Sequence, residues 1–101
     1  MAEIDFSQRA LEDIDEIAHY WARFSEDAAR AYVKKIYATI ALLEQFPNLG
    51  KISPELDYPK GREIIAGPYR IFYHVISERR IQIITVHHSA QPFDFDNLRP
   101  N

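Results

Sequence analysis

Apolar positions change their period along this chain, and each period names an element. In residues 2–6, "AEIDF", Ile4 and Phe6 alternate with polar neighbours as in a short strand. Ser7 then offers an N-cap. Beyond it Leu11, Ile14, Ile17, Ala18 and Trp21 recur at helical spacing, with Phe24 just past them and Glu12, Asp13, Asp15, Glu16 and His19 on the other side. The spacing predicts an amphipathic helix of about 16 residues, roughly 24 Å long. Ser25 followed by Glu26 and Asp27 starts a second helix, because acidic groups suit the positive end of the helix dipole. Ala29, Tyr32, Val33, Ile36, Ile40 and Leu43 form its stripe, Glu26 and Arg30 make an i, i+4 pair, and Pro47 and Gly50 stop it near Phe46. With so short a link the two helices should pack as an antiparallel hairpin.

Residues 47–61, "PNLGKISPELDYPKG", hold three prolines and two glycines and read as a connector without regular structure. Three strands follow, "REIIAG" (62–67), "YRIFYHVI" (69–76) and "RIQIITVHH" (80–88), joined by Gly67-Pro68 and by Ser77-Glu78-Arg79. The order is β-α-α-β-β-β in a single domain. It predicts an α+β fold, a small and mostly antiparallel sheet with a helical hairpin packed on one face. The strands are apolar on both sides. Ile71, Tyr73 and Val75 alternate with Phe72, His74 and Ile76, and Ile81 and Ile83 oppose Ile84 and Val86. A helical hairpin shields one face only. Either sheet twist and the 47–61 connector cover the other, or a second chain does.

Composition narrows the class. The apolar share of 47% and charged share of 27% are those of a soluble globular protein, and 101 residues make one core. No apolar stretch approaches the roughly 20 residues of a membrane helix, so no membrane partner is expected. The N-terminus lacks a signal-like pattern, and the absence of cysteine fits a reducing cytosol, so a cytoplasmic protein is expected. A net charge of −3 argues against general binding to nucleic acid, and no sequence-specific contact with it is expected. Charge is uneven, with nine acidic against five basic residues in 1–50 and six against seven in 51–101. An anionic partner would therefore meet the second half.

Candidate chemistry gathers at "TVHHSAQ", residues 85–91. His87 and His88 are strand neighbours pointing to opposite faces, so they do not share a metal, and no metal or other cofactor is expected. Ser89 lies beside them without a nucleophile-elbow motif. Asp13, Asp15 and Glu16 read as a solvated helix face. Arg70 stands inside a strand, where burial demands a carboxylate partner; alternatively its planar fork meets a phosphate or an acidic surface.

Taken together, "YRIFYHVISERRIQIITVHHS", "FSQRALEDIDEIAHYW", "LLEQFPNLGK" and "REIIAGPYR" resemble, in this order, the RelE/ParE toxin superfamily of bacterial type II toxin–antitoxin modules, over about residues 3–95. The resemblance implies a toxin held inactive in a hetero-oligomer by a cognate antitoxin. RelE-type members cut messenger RNA on the ribosome with a basic pair, two arginines and a tyrosine. Carried over, Arg70 matches the hairpin arginine, while Lys60 and Arg62 approximate the basic pair, with Gly61 and Glu63 at its aligned positions. Ser89 replaces the second arginine, and Phe93 or Phe95 stands near the tyrosine without its hydroxyl. A serine supplies no charge and a phenyl ring no proton. The pattern is similar to the ParE branch, which inhibits DNA gyrase without catalysis, although many of its members carry an arginine where Ser89-Ala90-Gln91 stand. The expected catalytic set is therefore empty. The expected target contacts are Lys60, Arg62, Arg70, His88, Phe93 and Phe95. The expected contacts to a ParD-like antitoxin with a ribbon-helix-helix N-terminus are Trp21, Tyr32, Leu42, Phe72 and Tyr73. The alternative is a ribosome-dependent endonuclease built on Arg70 with His87 or His88 as base, a task imidazole suits near neutral pH.

Overall fold

The computed structural model describes residues 1–56 and 61–89. Strand β1 (Glu3–Phe6) leads into helix α1 (Gln8–Ala22) and helix α2 (Glu26–Ala41), which a 3₁₀ turn at Leu42–Glu44 extends. Then come β2 (Lys51–Ile52), β3 (Gly61–Ala66), β4 (Tyr69–Ser77) and β5 (Arg80–His88). The sheet order is β1-β5-β4-β3-β2, antiparallel except for β1 alongside β5. The α+β architecture with a mostly antiparallel sheet is as the sequence predicts. One difference is β2, which lies inside the connector expected to be irregular. Two residues are too few to show a period, and pairing with Arg62 and Glu63 makes the strand.

Both serines cap their helices. The Ser7 hydroxyl accepts from Ala10 N–H at 3.0 Å and donates to the Ile84 carbonyl at 2.6 Å, so one side chain starts α1 and ties it to β5. The Ser25 hydroxyl accepts from Ala28 N–H at 3.2 Å. Asp13 adds a second tie, since its carboxylate accepts from the Thr85 hydroxyl and from Val86 N–H. The main core lies between the helices and the sheet and includes Ala10, Ile14, Ile36, Ile40, Leu43, Ile71, Tyr73, Ile81 and Ile83.

Val86 belongs to this core as well, against the expected alternation. Phe72 pairs with Thr85 but Tyr73 with Ile83, so Ile84 is the extra residue of a β-bulge. One inserted residue shifts the parity of all that follows, placing Val86 with the helices and Ile84 on the far face. On that far face Phe72, Ile84 and Leu56 form a separate buried cluster. The connector thus covers the middle of the second sheet face, and the second chain proposed to cover it is not needed there. Among the described residues no helix is long and apolar enough to cross a membrane.

The connector is fastened on the helix side by Tyr73. Its hydroxyl accepts from Gly50 N–H at 2.8 Å and donates to the Pro47 carbonyl at 3.0 Å. Arg62 closes the same loop by donating to the Gly50 carbonyl at 2.6 Å. Gly50 permits this approach, because a Cβ there would stand 2.7 Å from the Tyr73 hydroxyl and would collide with the Glu63 carbonyl.

Candidate functional site

Strand parity sorts the expected residues. Register pairs Arg70 with Ile65 and His87, and Phe72 with Glu63, so these side chains share the face away from the helices. Arg62 pairs with Tyr73, and His88 with Tyr69, on the helix side. The expected target set is therefore split. Arg62 and His88 do not join Arg70, and Arg62 has its guanidinium on backbone carbonyls. His87, rather than His88, stands across from Arg70. Lys60, Phe93 and Phe95 lie outside the described residues.

Arg70 is held by carboxylates, the structural reading of its position. Its Nε–H donates to Glu63 at 2.7 Å, Glu55 binds the same guanidinium, and the guanidinium carbon lies 4.8 Å from the centre of the Phe72 ring. The Glu63 side chain is only 2% exposed and also has the Lys51 ammonium at 3.4 Å. Burial by itself would lower the Arg70 pKa, but the hydrogen bonds to Glu63 and Glu55 outweigh it and the net direction is upward. The guanidinium stays charged, and its charge is countered within the molecule.

At the same end of the hairpin, on the helix side, aromatic rings form a joint between the helices and β4. Trp21 stacks on Tyr32 at 4.3 Å and donates its indole N–H to the Tyr69 hydroxyl at 2.7 Å, while Tyr69 meets His88 edge-on at 5.5 Å. Burial pushes the Tyr69 hydroxyl above its ordinary range, more than the Trp21 hydrogen bond lowers it. Beside Trp21, Tyr20 is 49% and Phe24 66% exposed. A cleft of about 610 Å³ runs along this joint, lined by Arg9, Asp13, Glu16, Tyr20, Trp21, Tyr69, His87 and His88 among others, and it carries both signs of charge.

The expected antitoxin contacts divide. Trp21 and Tyr32 are half-buried in the aromatic joint and Leu42 is half-exposed, but Phe72 and Tyr73 are fully buried within the chain. Phe72 lies under the connector and Tyr73 in the main core, so neither presents a surface to a partner in this conformation. Exposed Tyr20 and Phe24 were not among the expected contacts. Their i, i+4 spacing on the edge of the α1 stripe was the available signal. Among the described residues no group of three or more His, Asp or Glu side chains could hold a metal ion.

The comparisons agree with this fold. The family model described as the ParE toxin of the type II toxin–antitoxin system parDE matches residues 4–93. The protein called Toxin RelE2 from Caulobacter vibrioides is 23% identical over 91 residues, spanning 90% of this chain and 99% of that protein. The chromosomal ParDE system from P. aeruginosa superposes with a TM-score of 0.71 at 24% identity, covering 87% of this chain and 96% of that one. The toxin–antitoxin complex RelBE2 from Mycobacterium tuberculosis gives 0.59 at 19%, covering 86% and 96%. The YoeB dimer from Staphylococcus aureus gives 0.61 at 20%, covering 86% and 95%. A family model spanning nearly the whole chain places it: the protein belongs to the ParE toxins of type II toxin–antitoxin systems, within the RelE/ParE superfamily.

Proposed function

We propose that this toxin acts by binding DNA gyrase rather than by cutting RNA, and that a ParD-like antitoxin in the cytoplasm neutralises it. The observation that carries the reading is the state of Arg70, whose guanidinium is bound by Glu63 and Glu55. Cleavage through a ribose hydroxyl needs uncompensated positive charge at the developing phosphorane. A cation already matched by two carboxylates supplies little of it. Arg62 is turned to the other face, and Ser89 brings no charge. Target contact in this reading falls to the surface around Arg70 and His87. Antitoxin contact falls to half-exposed Tyr20 and Phe24 beside the Trp21–Tyr32 joint, a pair of aromatic side chains suited to an amphipathic helix, with exposed Leu42 at the opposite end of α2. Precedents for a bound antitoxin are the ParDE and RelBE2 assemblies, whose toxins have this fold.

One observation favours a nuclease. His87 stands directly across from Arg70, where an imidazole base would be placed. Induced expression in bacteria separates the two. Gyrase poisoning should arrest growth with a DNA-damage reporter switched on and translated messages intact. Codon-phased cuts in primer extension, abolished by His87→Ala with the reporter silent, would overturn the gyrase reading.

A further inference from the structure

The far face of the sheet is covered by four residues of the connector, Ser53 to Leu56, and the cover is imperfectly seated. Leu56 packs on Phe72 and Ile84 in a cluster separate from the main core. Glu55 reaches Arg70, and the short turn is held by Leu56 N–H to the Ser53 carbonyl at 3.3 Å and Ser53 N–H to the Gly61 carbonyl at 3.1 Å. Ser53 itself is 1% exposed, and its hydroxyl has no hydrogen-bond partner among the described residues. A desolvated hydroxyl without a partner opposes the closed position. Arg70, meanwhile, keeps its Nε bond to buried Glu63 whether or not Glu55 is in place, so its orientation does not depend on the cover.

We propose that this strap opens locally and that it occupies a docking site for another polypeptide. The segment that exchanges with it carries a carboxylate followed by a branched aliphatic side chain. The strap shows what the site accepts: the Glu55 carboxylate on a guanidinium fork and the adjoining Leu56 side chain between Phe72 and Ile84. Opening restores the apolar second face that the strand pattern implies. A strap that stays closed keeps both carboxylates on Arg70, so failure of this proposal leaves the gyrase reading standing.

Amide hydrogen exchange on the full chain reads the opening. The Ser53 and Leu56 amides should exchange at least about tenfold faster than the paired amides of β4 and β5, because they open without global unfolding. Ser53→Ala, which removes the orphaned hydroxyl, should slow them by about fivefold, and Glu55→Gln should speed them by about threefold. The occupant is tested with the acetylated tetrapeptide Ser-Pro-Glu-Leu, amidated at its C-terminus, added at millimolar concentration to the Glu55→Gln protein. It should shift the NMR signals of Phe72 and Ile84, and the same peptide with glutamine for glutamate should bind about tenfold more weakly. Strap amides that exchange in step with β4 and β5 in all three proteins overturn the proposal. So do two peptides that behave alike.

Discussion

Arg70→Ala separates a structural arginine from a target-binding one. In the native chain the Glu63 carboxylate is almost wholly buried and its close partner is the Arg70 guanidinium at 2.6 Å, with the exposed Lys51 ammonium farther off at 3.4 Å. Removing one member of a buried pair costs about 3–5 kcal/mol, because the other charge is left stranded. Arg70 is 18% exposed, and water reaching the space left by its side chain brings the cost to the lower end, about 3 kcal/mol. The Glu55 contact adds less than about 1 kcal/mol, since that carboxylate is more than a third exposed. For a chain of this size the loss lowers Tm by roughly 12–24 °C. Urea melts of Arg70→Ala, Glu55→Ala and the pair Arg70→Met with Glu63→Leu test the reasoning. The first should lose about 3 kcal/mol and the second under about 1 kcal/mol. The third should return to within about 1 kcal/mol of the parent, because two apolar side chains leave no stranded charge. An Arg70→Ala protein as stable as the parent would refute the view that Glu63 depends on this arginine, and any loss of toxicity would then belong to target contact.

Gly50→Ala should destabilise by about 1–3 kcal/mol in the same melts, because a methyl group meets the Tyr73 hydroxyl and the Glu63 carbonyl and the connector must shift. Tyr73→Phe should cost about 1–3 kcal/mol by leaving the buried Gly50 N–H without its acceptor, measured by urea midpoint at neutral pH. Tyr69 and Tyr73 both have pKa values raised above the ordinary range, burial being the main cause in each. The folded state holds their protons more tightly, so their stabilisation is whole below about pH 10 and lost as pH rises through the folded-state values. A urea midpoint that falls above about pH 10, and falls less in Tyr73→Phe, is the expected result; a flat alkaline limb would contradict it. Asp13→Ala should cost about 1–3 kcal/mol by orphaning Val86 N–H and the Thr85 hydroxyl, with faster amide exchange confined to the α1–β5 contact.

Every element except β2, which exists only through its pairing with β3, was legible because it obeys a local rule. Ser7 and Ser25 cap where their spacing requires, and the strands fall within a residue of their apolar runs. Three features were not legible, each for a non-local reason. The bulge at Ile84 exists only in the pairing with β4, and without it Val86 is assigned to the wrong face. The connector was one of the two covers the strand pattern allowed, but the seating of Leu56 on Phe72 and Ile84 depends on where a proline-rich segment returns to the sheet, which no periodicity encodes. The need of Arg70 for a carboxylate followed from its place inside a strand, but the identities of Glu55 and Glu63 came from the register. For the same reason Arg62 looked like a companion of Arg70 by proximity in sequence, yet strand alternation turns it to the opposite side.

Gyrase inhibition without chemistry of its own is the action proposed for this toxin. Its most direct test is supercoiling of relaxed plasmid by purified gyrase with increasing amounts of the protein. The expected result is a dose-dependent loss of supercoiled product, with cleaved DNA accumulating and activity returning when the cognate antitoxin is added. Undiminished supercoiling at a large molar excess of folded, growth-arresting protein would contradict it.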